Sequence, residues 1–399
     1  MLEGWKSVAL SELATFHSGG TPNKERSSFW GGPIPWVTVK DMKAMRLNGV
    51  GESLTEEGAN TVRVVPARTV LVLVRGMGLF KDLPVVLCDG PVTFNQDIKA
   101  LVAKEGVDSE YLAFALIARK SDILRHVDSA GHGTGRLDTD LLKSTPLPLP
   151  PLPEQRKIAE ILRTWDEAIE KLEALRAAKQ NRFTGLKQQI MGRGGAFPER
   201  WPLKALSAVS TPVRRKSAGN NHPVMTISAK SGFLMQSDKF ARDMAGRSVE
   251  RYTLLHEGEF AYNKGNSKTA PYGCVFRLDR PTALVPFVYY CFALKPGLDP
   301  EFYEHLFAAG ALNHQLSRLI NSGVRNDGLL NLYSDDFYSC RVPVPPIDEQ
   351  RKIARAMTAA KQELALLDED IEALTRQKRG LMQKLLTGEW RVKLEVSVA

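Results

Sequence analysis

Three consecutive cations, Arg214, Arg215 and Lys216, open a part of the chain in which basic residues recur among small polar ones. Asn263, Lys264, Asn266 and Lys268 follow within one glycine- and asparagine-bearing loop, and Arg325 stands in another. Lys and Arg presented by such loops meet phosphates, while Asn and Arg can reach base edges. In the N-terminal part the corresponding cations are Lys24, Arg26, Lys40, Lys43, Arg75, Lys81 and Arg136. Asn95 and Gln96 are candidates for contact with adenine edges; a capped turn between strands is the other reading of that pair. Signals for bond-breaking chemistry are thin. The chain has no GxxxxGK[ST] phosphate loop, no HExxH metal motif and no NPPY-like segment, and its seven histidines are scattered. Asp97-Ile-Lys99 is too short to identify a nuclease, and Gly131-His-Gly-Thr-Gly135 lacks the helix start that a phosphate loop needs, so it reads as a flexible turn. No catalytic, cofactor-binding or metal-ligating set is therefore expected.

The overall balance agrees with a polyanionic partner. Lys plus Arg number 54 against 45 Asp plus Glu, a formal charge of +9. By region the net charge is 0 over 1–150, +3 over 151–193, +5 over 194–345 and +1 over 346–391. Any binding face of the first region must thus come from an uneven distribution of its charges. Four cysteines without a CxxC pair fit reduced thiols, the N-terminal residues do not read as a signal peptide, and no apolar run reaches membrane-spanning length. The expectation is a cytoplasmic protein with no membrane partner.

The elements that must position these loops are set by an internal repeat. Pro148-Leu-Pro-Pro-Leu-Pro-Glu-Gln-Arg-Lys-Ile-Ala159 returns as Pro343-Val-Pro-Pro-Ile-Asp-Glu-Gln-Arg-Lys-Ile-Ala354, nine of twelve positions identical at an offset of 195. Trp5, Leu10 and Ser11 likewise match Trp201, Leu206 and Ser207 at offset 196. A period this long means two similar globular regions, each followed by a helix. Proline stops the preceding structure, Glu154, Asp348 and Glu349 suit a first helical turn, and proline-free stretches follow. Apolar residues then step by three and four: Ile158, Leu162, Trp165, Ile169 and Leu172 in the first copy, and Ile353, Leu364, Leu367, Ile371, Leu374, Leu381 and Leu385 in the second, interrupted at Lys378. Roughly 36 residues per helix would span about 54 Å at 1.5 Å per residue.

Short connections predict an antiparallel helix pair with one globular region at either end. The predicted class is α+β, two pseudo-twofold-related regions joined by two long antiparallel helices. The expected divisions are a first globular domain over 1–150, a helical spacer over 151–195, a second globular domain over 196–345, a second spacer over 346–391 and a tail over 392–399. Within the globular regions Ile34–Val39, Thr69–Val74, Pro84–Leu87, Glu259–Tyr262 and Tyr272–Phe276 read as strands, and Ser109–Arg125 and Pro300–Ile320 as helical.

The paired proline-to-helix blocks, with their Gly-Leu-x-Gln endings, resemble the two conserved regions of specificity subunits of type I restriction-modification enzymes. Ser18-Gly-Gly-Thr-Pro-Asn23, Phe29-Trp-Gly-Gly-Pro-Ile-Pro-Trp36 and Phe94-Asn-Gln-Asp-Ile98 are similar to a target-recognition domain of that family, whereas Ser207 is followed by Thr211-Pro-Val-Arg-Arg instead of Ser-Gly-Gly-Thr-Pro. The resemblance implies a non-catalytic subunit whose two globular domains each read one half of a split, asymmetric site in double-stranded DNA. The helix pair would set the spacing and dock two DNA adenine methyltransferase subunits. It further implies S-adenosylmethionine on those partners, and ATP and magnesium on restriction and translocase subunits, with no cofactor in this chain. A coiled-coil adapter that reads no sequence is the alternative, and a fused methyltransferase or nuclease with a degenerate motif is a third reading.

Overall fold

The computed structural model describes residues 4–130, 133–191, 197–217, 222–239, 250–265, 269–320 and 329–394. The chain divides into two units: unit 1 is Met1–Glu173 with Glu369–Ala399, and unit 2 is Ala174–Asp368. Two long helices, Leu152–Met191 and Ile347–Thr387, each begin in one unit and end in the other. They run for 40 and 41 residues, slightly longer than the periodicity predicts.

Unit 1 holds β1 (Lys6–Ala9), β2 (Ala14–Ser18), β3 (Trp30–Val37), β4 (Glu52–Leu54), β5 (Val70–Leu73), β6 (Arg75–Gly76), β7 (Val85–Leu87), β8 (Thr93–Phe94), β9 (Ile98–Ala103), β10 (Val127–Ala130), β11 (Thr134–Leu137) and β12 (Pro146–Leu149). Its main sheet is antiparallel in the order β2-β9-β5-β7. Val70, Leu71, Val72 and Leu73 are all buried, the continuous apolar run expected of a strand covered on both faces. One cover is the helix Ser109–Ala118, apolar all round its circumference and started by Asp108, whose carboxylate accepts from the backbone N–H groups of Glu110 and Tyr111 at 3.0 Å. Ile158, Ala159 and Leu162 of the first long helix and Leu385 and Leu386 of the second complete the same core.

Unit 2 repeats this plan with β13 (Leu203–Ala205), β14 (Ser210–Pro212), β15 (Met225–Ser228), β16 (Gly232–Met235), β17 (Thr253–His256), β18 (Phe260–Asn263), β19 (Cys274–Arg277), β20 (Thr282–Val285), β21 (Tyr290–Leu294) and β22 (Arg341–Pro343). Its main sheet, β14-β21-β18-β19, is the counterpart of β2-β9-β5-β7, and the β13–β22 pair that of β1–β12. Aromatic packing dominates the core. Phe260 stacks on Phe292 with ring centroids 5.3 Å apart, and Tyr262 on Phe337 at 4.5 Å.

The repeated proline block acts as a clamp in both units. The side-chain amide of Gln155 donates to the carbonyl of Pro150 at 2.8 Å while its oxygen accepts from the backbone N–H of Asp108 at 2.8 Å. Gln350 makes the same pair with Pro345 at 2.7 Å and Asp299 at 2.9 Å. Tyr111 and Tyr303 add hydroxyl bonds to the carbonyls of Pro148 and Pro343, at 2.7 and 2.9 Å. The block thus fastens each long helix to a capping aspartate, that of Ser109–Ala118 in unit 1 and that of Pro300–Ala308 in unit 2.

The residues predicted for the helix seam show graded burial. Ile158, Leu162, Leu364, Leu367 and Leu385 are buried, whereas Trp165, Ile169, Leu172, Ile353, Ile371, Leu374 and Leu381 are half-buried. A two-helix seam leaves solvent on both flanks, so partial exposure is the expected outcome away from the globular cores. Within unit 1, Lys378 pairs with Asp166. Within unit 2, Arg176 pairs with Asp368, and Lys179 with Glu363 at 2.7 Å. Advancing residue numbers in one helix meet falling numbers in the other, so the helices are antiparallel inside each unit.

Strand and helix limits differ from expectation at identifiable points. β3 ends at Val37 because Thr38 begins a capping box with Asp41. The helical stretch over Pro300–Ile320 is two helices, Pro300–Ala308 and Asn313–Leu319, separated at Gly310, whose φ of +83° an L side chain rarely adopts. Ser109–Arg125 is likewise two helices, Ser109–Ala118 and Lys120–Leu124, meeting at Arg119.

Candidate nucleic-acid interface

The loop that leaves β2 in unit 1 is built on close backbone contact. A Cβ at Gly19 would fall 2.3 Å from the Phe94 carbonyl oxygen, so only glycine lets the loop lie against β8. Gly20 donates its N–H to that carbonyl at 2.9 Å, and the indoles of Trp36 and Trp30 donate to the carbonyls of Gly20 and Asn23, each at 3.0 Å. On this frame Lys24 sits 4.0 Å above the Trp30 ring and 4.5 Å above that of Trp36, and pairs with Glu52 at 2.6 Å. Arg26 pairs with Glu57 and lies over Phe29. The two cations nearest the Ser-Gly-Gly-Thr-Pro segment are therefore balanced internally.

The neighbouring amides are engaged as well. Asn95 closes a turn, accepting from the N–H of Asp97 at 3.2 Å, which is the capped-turn reading of this pair. Gln96 accepts from the Thr21 hydroxyl at 2.7 Å on an exposed surface. Lys40 and Lys43 are exposed around a short turn that Asp41 holds through Thr38 and through the N–H of Gly51 at 2.9 Å. Arg75, Lys81 and Arg136 gather elsewhere in the unit: β6 pairs with β11, and Arg75 is the register partner of Arg136.

In unit 2 the basic triplet splits by direction. Arg215 turns to Glu259, while Arg214 and Lys216 line a groove of about 370 Å³ with Thr253, Phe287, Tyr289 and Tyr338. Lys216 also donates to the Arg251 carbonyl, and the Arg251 guanidinium lies 4.1 Å above the exposed ring of Phe287. Lys264 stands 5.2 Å over the Tyr290 ring, and Asn263 binds inward, donating to the Ile227 carbonyl at 3.2 Å. Asn266, Lys268 and Arg325 lie outside the described residues.

The groove floor stays neutral. Tyr289 shares its hydroxyl with Thr226 at 3.0 Å, and Tyr338 donates to the Cys291 carbonyl at 3.0 Å. Burial pushes both phenols above their ordinary range, with Arg214 opposing the shift at Tyr338. A basic rim over an uncharged aromatic floor suits a polyanion with flat rings.

Other chemistry finds little support in the geometry. Burial drives the Cys88 and Cys291 thiols up to about 12 and Cys340 to about 11, away from a reactive thiolate. Among the described residues no three His, Cys, Asp or Glu side chains converge as a metal site, and no helix is long and apolar enough to cross a membrane.

Residues marked in the sequence only as first-turn acids or repeat matches hold these frames in place. Glu154 is buried in unit 1, where it accepts from the Trp5 indole at 3.1 Å and from Arg391 at 2.7 and 3.0 Å. Glu349 in unit 2 pairs with Arg200 at 2.6 Å, which lowers its carboxyl below the usual range. Trp5 and Trp201, and Glu154 and Glu349, are matching positions of the repeat, and each of the two acids is paired with an arginine.

Residues 2–179 match the type I restriction modification DNA specificity domain. The EcoR124I/EcoR124II type I restriction enzyme specificity subunit of Escherichia coli is 35% identical over 165 residues, an alignment spanning 41% of this chain and 40% of that one. The MjaIX specificity subunit of Methanocaldococcus jannaschii is 22% identical across 98% of this chain and 94% of its own length. Among solved structures, the S subunit of a type I restriction-modification system from M. genitalium superposes with a TM-score of 0.57 at 16% identity, covering 96% of each chain, which shows a shared fold. With that domain in the first half, and relatives so named aligned along nearly the whole length, the chain is similar throughout to type I restriction-modification specificity subunits.

Proposed function

We propose that this chain is the sequence-reading subunit of a type I restriction-modification complex, each unit recognising one half of a split, asymmetric DNA target. The observation that carries this reading is a duplicated frame with unlike loops. Both units build a sheet of the same strand order, β2-β9-β5-β7 and β14-β21-β18-β19, but the loop leaving β2 has its cations paired internally, while that leaving β14 lines a basic, aromatic groove. Equal frames with different surfaces suit two different half-sites.

In this reading the helices, at 40 and 41 residues and about 1.5 Å per residue, fix the interval between half-sites and dock two adenine methyltransferase subunits. S-adenosylmethionine belongs to those partners, and ATP and magnesium to restriction and translocase subunits; this chain reads DNA without transforming it. Replacing Arg214 and Lys216 together by alanine is expected to weaken target binding of the assembled complex about tenfold or more and to flatten its salt dependence, measured by fluorescence anisotropy across a salt series. Unchanged affinity and salt slope would remove the β14 groove from the interface.

A further inference from the structure

In unit 1 the cations of the β2 loop are satisfied within the protein, so its contact with DNA must be sought elsewhere. Lys24, Arg26 and Arg46 pair with Glu52, Glu57 and Glu110, and Lys120 with Asp82. Arg75 and Arg136 show the opposite arrangement. They are direct register partners on the antiparallel β6–β11 pair, so both side chains leave the same face of the sheet. Like charges placed opposite each other repel, and no ion pair to either is found among the described residues. Asp128 is the partner of Arg136 on the β10 side without forming an ion pair to it, and Asp138 caps the helix Thr139–Ser144, its carboxyl held low first by the N–H groups of Leu141 and Asp140 and then by the charge of Arg136, with no ion pair between the two.

The two most exposed large apolar side chains described in unit 1 stand on the turn that follows β6: Met77 at 73% and Phe80 at 52%. Lys81, also exposed, comes next. This turn is held firmly. Leu79 is buried in the core, the Leu137 N–H donates to the Val74 carbonyl at 2.9 Å, and a Cβ at Gly135 would already lie 3.1 Å from both the Gly76 carbonyl oxygen and Leu79. Gly76 itself has a φ of +152°.

We infer that this face, Arg75 and Arg136 with Met77, Phe80 and Lys81, is the DNA-docking surface of unit 1, the arginine pair gripping one backbone phosphate between them and the two apolar side chains packing on the sugars and base edges beside it. A phosphate turns the repulsion of the pair into two charge-assisted contacts, and charge complementarity thereby selects a polyanion as the occupant. Exposed apolar side chains beside phosphate-binding arginines act as wedges against base steps. A pinned turn presents them at little ordering cost. The inference rests on the DNA-reading function proposed above and names the surface that performs it.

The test uses the chain assembled with its modification subunits and a duplex carrying the mapped target, alongside an unrelated duplex, titrated across a salt series. Arg75→Gln with Arg136→Gln is expected to weaken target binding about tenfold or more and to reduce the salt slope by about one, the value for one phosphate. The same variant should unfold at an unchanged or higher temperature, since it removes a repulsion, and that separates a binding loss from a folding loss. Met77→Ala with Phe80→Ala should weaken binding several-fold at an unchanged salt slope. Affinity and slope unaltered in the arginine variant, with Arg214→Ala and Lys216→Ala still impairing binding, would overturn this surface while leaving the function in place. Unaltered DNA affinity with lost modification subunits would overturn it in favour of a protein-docking face. A wild-type complex that failed to distinguish the two duplexes would overturn both.

Discussion

At the scale of single residues, the side chains that fasten the frame are as informative as those that face solvent. Gln155 and Gln350 are buried amides that each join a proline carbonyl to a capping aspartate N–H. Leaving those groups unpaired should cost about 1–3 kcal/mol per site, so Gln155→Ala and Gln350→Ala should each lower the thermal midpoint measurably. His305, against Thr358 at 2.8 Å, provides a pH dependence. Burial lowers its affinity for a proton below that of an exposed histidine, with Glu304 opposing and Lys361 assisting. The unfolded chain therefore binds more protons near pH 6.5, and unit 2 should lose stability as pH falls from about 7 to about 5. His305→Gln should flatten that slope in a melting series; an unchanged slope would assign the effect to other groups. Much of this was out of reach of spacing alone. The repeat marked Glu154 as a first-turn acid suited to the helix dipole, but Trp5 and Arg391 reach it from 149 and 237 residues away.

At the scale of elements, periodicity located both long helices and marked a break at Lys378. In the fold that break is an ion pair with Asp166, whose other carboxylate oxygen is buried without a hydrogen-bond partner. Removing one member strands the other, so Lys378→Met or Asp166→Leu alone should destabilise by about 1–3 kcal/mol. Replacing both should be near neutral or stabilising, because the desolvation cost disappears with the charges. A double-mutant cycle by denaturant unfolding checks this, and additive losses would contradict it. Strand cores were legible from apolar runs such as Val70–Leu73, while strand ends were decided by turns such as the Thr38–Asp41 box. Pairing partners were not legible. The opposition of Arg75 and Arg136 arises from a register between strands some sixty residues apart, which no local pattern encodes.

At the scale of the whole molecule, duplication is the governing fact. A proline block matching at nine of twelve positions predicts two like units, and the strand orders β2-β9-β5-β7 and β14-β21-β18-β19 repeat accordingly. What diverges between the copies is loop chemistry, where cations are paired inward in one loop and face a groove in the other. Of the residues proposed for DNA contact from sequence, composition could rank none; the fold separates Lys24, Arg26 and Arg215, which are paired to carboxylates, from Arg214 and Lys216 at a groove and Arg75 and Arg136 on an open face. The central claim is that the two units together specify one bipartite site. Long-read mapping of methylated adenines, in cells carrying the cognate modification subunit with and without this chain, tests it most directly. Methylation in one split, asymmetric motif that vanishes when the chain is absent is the expected result; methylation that persists unchanged without the chain, while the modification subunit is present and active, would contradict a bipartite reader.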